Sequence, residues 1–385
     1  MIPHENELLQ EHALIITDKK ISAIIPEQMI RHHLPAQHYH FPAKFIVTPG
    51  LIDLHIHGAN GFDVMDGSKE AIQEIATALA KEGVTGFLAT TMSADKDRIN
   101  NVLKNLASFD SEMGAQLLGI HLEGPFISPK KAGAQLSNVL LAPDLNLFKE
   151  WQKAAKNRIK LVTIAPELPD AIAFIRSLKQ LGVIVSIGHT DATFDETKNG
   201  IQAGATHASH LFNAMRGIHQ REPGATGAIL LSDEVTAEII VDGIHLHPSI
   251  VNLIYKLKIH KQLVLISDAI RAKCLGDGIY DLGGQQVEVK GERAQLSDGT
   301  LAGSILRLPN AIQNVITFTH CKMIDAINMA SLNPARILEL EHKGSIDNGK
   351  DADIAVFDDN WNTIVTFREG QIIYQHDNLS TFIAS

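Results

Sequence analysis

The sequence predicts an α/β protein, a (β/α)8 TIM barrel that carries a small β-sandwich domain formed from both chain termini. Three observations support this fold. Apolar runs of strand length alternate with helical patterns across residues 51–343. Several of these runs end in a histidine or a carboxylate, as the strands of a barrel do at its active face. Further strand patterns occur at both ends of the chain.

Eight apolar runs have the length and composition of buried parallel strands. Helical patterns separate most of them, for example over residues 69–82 and 169–181. A doubly wound sheet is the alternative fold, but it usually binds its ligand at one switch point rather than at many strand ends. The predicted strands lie near residues 51–57, 83–90, 116–122, 160–165, 183–189, 205–210, 237–243 and 263–268.

The chain termini predict a second, smaller domain. Residues 12–17 and 21–25 flank Asp18-Lys19-Lys20 and are typical of a β-hairpin. We therefore assign residues 1–50 and 344–385 to the small β-domain and residues 51–343 to the catalytic barrel. A further hairpin is predicted after the eighth strand. The remaining predicted strands and this hairpin lie at residues 349–357, 363–367, 371–374 and 283–300.

The composition is that of a soluble globular enzyme, with 45% hydrophobic and 20% charged residues. The net charge of −10 disfavours nucleic acid and anionic membranes as partners. No apolar run reaches the roughly 18 residues of a membrane span. The first residues lack the basic and apolar regions of a signal peptide. Cys274 and Cys321 form no zinc or disulfide framework. We therefore expect a cytoplasmic protein with reduced thiols.

The first apolar run ends in His55-Ile56-His57. Alternation along a strand places both imidazoles on one face, so both can reach one metal ion, although a solvated histidine pair is the alternative. The third run ends in His121-Leu122-Glu123-Gly124-Pro125-Phe126. Glu123 could bind or bridge divalent ions, and the alternative is a solvated carboxylate. We expect His121 to orient neighbouring groups rather than to bind metal.

Histidines also end the fifth and sixth predicted strands, over residues 183–189 and 205–210. His189 and His210 could each be a core histidine, but together with Glu123 they predict a metal site. His207 is out of register and is expected to support or pack against this site. Asp268 ends the eighth strand, where it could cap a following segment or act as the base that a hydrolytic metal site needs. The predicted metal ligands are His55, His57, Glu123, His189, His210 and Asp268.

These segments resemble the amidohydrolase superfamily and, within it, the family of N-acetylglucosamine-6-phosphate deacetylases. The similarity keeps its order along the chain from residue 44 to residue 358. Residues 48–58 and 344–357 resemble the first strand and the C-terminal strands of the superfamily. The segments that resemble the deacetylase family are residues 121–126, 188–190, 209–215, 221–224, 242–245, 267–269 and 300–304.

The resemblance implies that Glu123, His189 and His210 hold a catalytic divalent ion. It further implies that His55 and His57 could hold a second ion, which Glu123 bridges and Asp268 touches. Some family members lack the first histidine pair and use one metal. Asp268 would be the catalytic base. The ligand set suits one or two ions of Zn, Fe, Mn or Co. The superfamily's carbamylated lysine has no obvious counterpart, and Glu123 takes that role.

The resemblance also implies a substrate and a reaction, the hydrolysis of N-acetylglucosamine 6-phosphate to glucosamine 6-phosphate and acetate. An amino-sugar phosphate is therefore the expected partner. Arg221 matches a phosphate-binding arginine that can reach across a dimer interface, so we expect a homodimer. Alternatives are the galactosamine isomer, another amide, or a non-catalytic scaffold. The implied substrate contacts are Ala134, Gln135, Asn213, Ala214, Arg221, His245, Leu301, Ala302 and Gly303.

The chain departs from the family pattern at three places. Gln135 stands where many members have a histidine that polarises the substrate carbonyl, and an amide cannot become cationic. Arg216 stands where a proline is often found. The segment over residues 270–274 is more basic than expected beside the base. These departures affect substrate preference more than the type of reaction.

Overall fold

The computed structural model describes residues 1–4, 7–30, 37–111 and 113–377 of the chain. Within these residues the strands follow the predicted order. They are β1 (Ile2–His4), β2 (Glu7–Leu9), β3 (His12–Thr17), β4 (Lys20–Pro26), β5 (Ile46–Pro49), β6 (Leu51–Ile56), β7 (Gly58–Ala59), β8 (Phe62–Asp63), β9 (Val84–Thr91), β10 (Gln116–Glu123), β11 (Ile159–Ile164), β12 (Ile184–Ile187), β13 (His207–Ala208), β14 (Thr236–Ile239), β15 (Leu263–Leu265), β16 (Gly278–Leu282), β17 (Gln285–Lys290), β18 (Arg293–Gln295), β19 (Ile354–Phe357), β20 (Thr363–Arg368) and β21 (Gln371–Gln375).

The helices alternate with the central strands, and side-chain caps fix where several of them begin. Ser68 accepts a hydrogen bond from Ala71 at the first helix, and Thr193 forms a capping box with Glu196 at the fifth. The helices are α1 (Lys69–Ala80), α2 (Lys96–Ala107), α3 (Leu145–Ala154), α4 (Ala171–Gln180), α5 (Phe194–Ala203), α6 (Gly224–Leu230), α7 (Pro248–Leu257), α8 (Leu308–Thr319), α9 (Met323–Met329) and α10 (Leu332–Ile337).

Eight parallel strands form the central sheet, in the order β6, β9, β10, β11, β12, β13, β14, β15. The sheet closes between its first and last strands, because the Asp268 amide donates to the His55 carbonyl at 2.9 Å and Ile56 bridges Ala269 in parallel. The predicted barrel is therefore confirmed. Its strands are buried along almost their whole length, which explains why they read as continuous apolar runs.

A β-rich unit joins the two ends of the chain. β5 pairs antiparallel with β19, which in turn pairs with β20, and β21 forms the other edge. The hairpin of β3 and β4 contributes Ile21 to the same apolar core as Ile354 and Val356. The neighbouring Ala355 and Phe357 belong to the barrel core. Because successive side chains of β19 point to opposite faces, one face of this strand packs in the β-rich unit and the other packs in the barrel core.

The predicted boundaries at residues 50 and 344 stay a prediction, and residues 5–6, 31–36 and 378–385 of that predicted domain lie outside the described residues. The hairpin predicted over residues 283–300 is present as β17 and β18. The insertion is larger than predicted, because β16 pairs with β17 and extends the hairpin to a three-stranded antiparallel sheet over residues 278–295. Among the described helices, none combines the length and the apolar character needed to cross a membrane.

Candidate active site

The predicted metal ligands meet at the carboxyl ends of the barrel strands. Because the strands are parallel, residues that follow them converge on one face of the barrel. Every one of these side chains is buried, with at most 8% of any of the residues exposed. His55 lies in β6 and His57 directly after it, Glu123 ends β10, His189 follows β12, His210 follows β13 and Asp268 follows β15.

Three of these residues adopt a backbone conformation that side chains rarely take. The φ angles of His189, His210 and Asp268 are +46°, +28° and +47°. A left-handed residue cannot continue a strand, so β12, β13 and β15 end earlier than the sequence pattern predicts. Such conformations are costly and cluster at functional sites. The turn after each strand brings these side chains into the cluster.

A layer of hydroxyl groups supports the cluster from inside the barrel. The Ser209 hydroxyl lies 2.7 Å from the Thr163 hydroxyl and 2.7 Å from the Ser186 hydroxyl. The His121 Nε2 lies 2.7 Å from the Thr163 hydroxyl. Gly188 makes room for this layer, since an added Cβ would lie 2.8 Å from Thr163 Cγ2. These contacts fix the strands that precede His189 and His210.

One half of the cluster surrounds Glu123 Oε1. This oxygen lies 3.0 Å from His210 Nε2, 3.2 Å from His189 Nε2 and 3.3 Å from His55 Nε2. The two imidazole nitrogens of His189 and His210 are themselves only 3.2 Å apart. Three nitrogens and one carboxylate oxygen thus point at one small volume.

The other half surrounds Asp268 Oδ1. This oxygen lies 3.2 Å from His57 Nε2 and 3.4 Å from His55 Nε2. His57 Nε2 also lies 3.3 Å from Glu123 Oε2. Glu123 therefore contacts both halves through its two oxygens. The potential ligand atoms of His55, His57 and Asp268 lie close enough together to hold one ion, and so do those of His55, Glu123 and His210.

The donor set fits a metal ion. The Nδ1 atoms of His55, His57 and His189 face Glu238, the Thr90 carbonyl and the Lys131 carbonyl at 2.9, 3.2 and 2.8 Å. Carbonyl and carboxylate oxygens accept but do not donate, so each Nδ1 carries the proton. In the neutral rings, the Nε2 lone pairs then converge inside the cluster. His55 Nε2 has no hydrogen-bond partner among the described residues.

Comparisons with known proteins agree with this geometry. The amidohydrolase family model matches residues 46–373. The chain belongs to the amidohydrolase family. It is 42% identical to the N-acetylglucosamine-6-phosphate deacetylase of Bacillus subtilis (strain 168), over 96% of this chain and 94% of that relative. It is 34% identical to the N-acetylgalactosamine-6-phosphate deacetylase of Escherichia coli O157:H7, over 96% of each chain.

A solved relative has the same architecture. The structure of a mutant N-acetyl-D-glucosamine-6-phosphate deacetylase from Mycobacterium smegmatis in complex with N-acetyl-D-glucosamine-6-phosphate superimposes with a TM-score of 0.86. The two chains are 31% identical, and the superposition covers 94% of each. Amidohydrolases require a divalent metal, and the cluster described above supplies suitable ligands for one.

The buried carboxylates of this amidohydrolase site favour the binding of a cation, whether a proton or a metal ion. Burial is the strongest influence on His57 and lowers its pKa, but hydrogen bonds and charges from Asp268 and Glu123 outweigh burial and raise the pKa to about 9. Burial raises the pKa of Glu123, yet the charges of His55 and His189 hold it well below its usual range. The carboxylates are thus kept ionised, as metal ligation requires.

Gln135 lies against the cluster, on the loop that follows β10. Its Nε2 donates to Glu123 Oε2 at 2.9 Å, and its Oε1 accepts from the Ser93 amide at 2.8 Å. Both ends of the amide are therefore engaged by the protein. The neighbouring Ala134 carbonyl accepts from Gln285 Nε2 of the inserted sheet at 2.6 Å. The sheet thus contacts the loop that carries Gln135 against the predicted metal ligands.

The other predicted substrate contacts occupy different places around the opening. The Asn213 amide donates to the His210 carbonyl, and the Ala214 carbonyl accepts from the Thr190 amide. The Ser304 amide, next to the predicted loop of Leu301, Ala302 and Gly303, donates to the Asp268 carbonyl at 2.8 Å. All of these segments therefore adjoin a predicted metal ligand.

His245 and Arg221 differ in how firmly they are held. His245 Nδ1 lies 2.6 Å from Asp242 Oδ2, and both side chains are buried. Arg221 is exposed, on the segment that precedes α6, and its side chain makes no ion pair with any described residue. Arg216 instead forms a two-bond contact with Asp191. The structure therefore does not bring Arg221 into contact with the cluster.

Sequence reasoning missed one residue of the site. Glu238 of β14 is fully buried and contacts both His55 and His207. The available signal was a carboxylate inside an otherwise apolar predicted strand, since unpaired charges are almost never fully buried. His207, which we expected to support or pack against the site, contacts the cluster through Glu238. His121 packs edge-on against the His55 ring, with centroids 4.5 Å apart.

Proposed function

We propose that this chain hydrolyses the N-acetyl group of N-acetyl-D-glucosamine 6-phosphate, giving D-glucosamine 6-phosphate and acetate in a metal-dependent reaction. The observation that carries this proposal is the position of Asp268. Its side chain is 12% exposed, more than that of any other residue in the ligand cluster. Asp268 therefore lies where the cluster opens to water and substrate, as a general base must. Curated relatives with this activity are 42% identical over most of the chain.

Asp268 would carry the proton in this reaction. Its carboxylate accepts a proton from the water that attacks the amide carbon. When the C–N bond breaks, the same proton passes to the departing amine, and acetate is the second product. When bound, a divalent ion would supply Lewis acidity at this site, for the attacking water and for the amide carbonyl. Glu123, His189, His210, His55 and His57 would hold the ions.

The remaining residues would orient the sugar phosphate. Asp242 holds His245 so that its Nε2 is free to contact the substrate. The backbone around Asn213 and Ala214 lies beside His210, and the loop before Ser304 lies beside Asp268. Contacts with the phosphate at one end would fix the amide at the other end in attack geometry.

We propose two ions per chain, with Glu123 shared between them. His55, His57 and Asp268 would hold one ion, and Glu123, His189 and His210 the other. Zn, Fe, Mn and Co all suit these nitrogen and oxygen ligands. Elemental analysis of the purified protein would identify the metal.

We also propose a homodimer in the cytoplasm. Arg221 is exposed and lacks a described partner within its own chain, so it is free to reach the site of a second subunit. Ile218, three residues before Arg221, is also exposed, at 53%. A phosphorylated sugar does not cross a bilayer unaided, which favours a cytoplasmic reaction.

A turnover assay tests the proposed activity. The reconstituted enzyme should release acetate from N-acetylglucosamine 6-phosphate much faster than from unphosphorylated N-acetylglucosamine. No acetate release from any amino-sugar phosphate would overturn the proposal. The second candidate substrate is the galactosamine isomer, because a relative with that specificity is 34% identical over 96% of the chain. Assaying both isomers side by side distinguishes the two specificities.

A further inference from the structure

Glu238 connects both halves of the ligand cluster. Its Oε2 lies 2.9 Å from His55 Nδ1 and 3.2 Å from the backbone nitrogen of His210. Its Oε1 lies 3.0 Å from His207 Nε2. One buried carboxylate thus contacts a ligand side chain from β6 and the backbone of a ligand that follows β13.

These contacts fix which nitrogen of His55 carries a proton. An ionised carboxylate only accepts hydrogen bonds, so His55 Nδ1 must donate to Glu238. His55 Nε2 then keeps its lone pair, and it faces Glu123 Oε1 at 3.3 Å and Asp268 Oδ1 at 3.4 Å. Contacts of this kind orient metal-binding histidines and increase their basicity.

Glu238 is itself held in place from the far side. His207 Nδ1 lies 2.6 Å from the Thr236 hydroxyl, and that hydroxyl lies 3.2 Å from the Thr206 carbonyl. The chain of contacts therefore runs from the Thr206 carbonyl through Thr236 and His207 to Glu238 and then to His55. Each step leaves Glu238 less freedom to turn away from His55.

The same geometry argues against a metal ion bound directly to Glu238. His55, His121 and Glu238 lie close enough together to hold one. However, both oxygens of Glu238 already accept hydrogen bonds, and His121 Nε2 lies 2.7 Å from the Thr163 hydroxyl. Glu238 instead contributes a buried negative charge. Two divalent ions carry four positive charges and their ligands Glu123 and Asp268 only two negative charges, so a third buried carboxylate lowers the charge imbalance.

We propose that Glu238 is a positioning residue for the metal site: it holds His55 in the tautomer that presents Nε2 to the ions and thereby strengthens binding of the ion at His55 and His57. This inference rests on the proposed two-ion site. The Glu238→Gln variant tests it, because glutamine keeps the shape but offers one acceptor and one donor in place of two acceptors. It cannot accept from His55 and His207 at once.

The first measurement uses zinc-loaded protein, in which a histidine that binds an ion carries a proton on one ring nitrogen only, and it reads ring protonation rather than activity. Nitrogen NMR of ¹⁵N-histidine-labelled protein should show His55 protonated at Nδ1, with its signal assigned by loss in His55→Asn. In Glu238→Gln, the Nε2-protonated tautomer should become populated. A wild-type His55 that is protonated at Nε2 alone would overturn the proposal, even if the Glu238 variant did not fold.

The second measurement is metal affinity by competition with a chelator. Glu238→Gln should weaken binding of the ion at His55 and His57 by about 10–100-fold, while the ion at His189 and His210 stays bound. The matched control is Glu82→Gln, which alters another buried carboxylate, 1% exposed and 2.8 Å from Lys273 Nζ, outside the cluster. Equal affinities in wild type and Glu238→Gln would overturn the proposal. If the enzyme did not hydrolyse the proposed substrate, both measurements would still test the role of Glu238.

Discussion

At the scale of single residues, the site depends on backbone strain as well as on side-chain chemistry. His189, His210 and Asp268 all have positive φ angles, each of which costs about 1–3 kcal/mol in a residue other than glycine. The strain persists because buried strands before each residue fix the chain. The sequence pattern identified these residues as strand ends. It could not predict the left-handed turns, because no local signal marks them.

Asp268 is the residue whose proposed role is easiest to isolate. Asp268→Asn keeps the shape of the side chain but removes its ability to accept a proton. We expect kcat to fall by about 10²-fold or more, the low end for general acid–base catalysis. Metal content, measured on the same sample, should fall less than activity. The control is Asp97→Asn on the exposed face of α2. Near-normal turnover in Asp268→Asn would remove Asp268 from the mechanism.

Gln135 was predicted to contact substrate, and its contacts within the protein suggest a different test of its role. Gln135→Leu removes the donor to Glu123 Oε2, and a hydrogen bond to a charged group contributes about 1.5–3 kcal/mol. If Gln135 acts through Glu123, unfolding of the metal-free variant should occur at lower denaturant and kcat should fall with little change in KM. A large rise in KM with unchanged stability would instead favour direct substrate contact.

At the scale of elements, the barrel strands were predictable because each is a continuous apolar run, whereas one strand of the inserted sheet was not. The β17–β18 hairpin lies within the predicted residues 283–300, but β16 was missed. Ile279 in β16 is 70% exposed, and Leu282 is its buried residue. A short strand with so mixed a pattern gives a weak sequence signal.

The contact between β19 and the barrel can be tested at Gly83. Its φ is +78°, and an added Cβ would lie 2.5 Å from the Phe357 ring and 2.9 Å from Ala355. Gly182 has a similar φ of +70°, but no described atom lies within 4 Å of an added Cβ. Gly182→Ala should therefore cost only the backbone term of about 1–2 kcal/mol. Gly83→Ala should cost about 1–3 kcal/mol more from overpacking.

Denaturant unfolding of the two alanine variants measures this difference. Since the two glycines share nearly the same backbone conformation, the difference reports the steric term. Equal losses would mean that the β-rich unit moves away from Gly83 without cost.

The strand β6 supplies the histidine pair that distinguishes a two-ion site from a one-ion site. Changing both His55 and His57 to alanine should lower the metal content from two ions per chain to one, because Glu123, His189 and His210 remain. Elemental analysis after reconstitution gives the count. His342→Ala, which changes an exposed histidine, serves as the control. The same ion content in the double variant and wild type would show that the pair is not a ligand set.

At the scale of the whole molecule, the barrel was predicted correctly because it is built by repeating one unit, and each copy of that unit has a local sequence pattern. Parallel strands must place their carboxyl ends together, so the convergence of the six predicted ligands could be predicted from five strand ends. Strand patterns at both termini predicted a shared β-domain, but they did not predict which strands pair, and the structure pairs β5 with β19. Glu238 could not be placed in this way, because its contacts with His55 and His207 depend on how three strands face one another.

Arg221 is the residue whose proposed role depends on the proposed homodimer. Replacing Arg221 with alanine removes a charged, directional contact with phosphate and should lower kcat/KM by about 10²-fold. The effect should appear with N-acetylglucosamine 6-phosphate and be nearly absent with unphosphorylated N-acetylglucosamine. Arg176→Ala, which changes an exposed arginine on α4, is the matched control. Equal losses on both sugars would mean that Arg221 serves the structure rather than phosphate binding.

Mixed dimers decide whether Arg221 acts within its own chain or on its partner. Arg221→Ala and Asp268→Asn should each alone keep about one hundredth or less of the wild-type activity on N-acetylglucosamine 6-phosphate. If Arg221 acts across the interface, a mixed dimer contains one site with a normal Asp268 from one subunit and a normal Arg221 from the other. Random exchange at equal amounts should then restore about a quarter of the wild-type sites. If Arg221 acts within its own chain, every site in the mixture lacks one of the two residues, and activity should stay at the level of the separate variants.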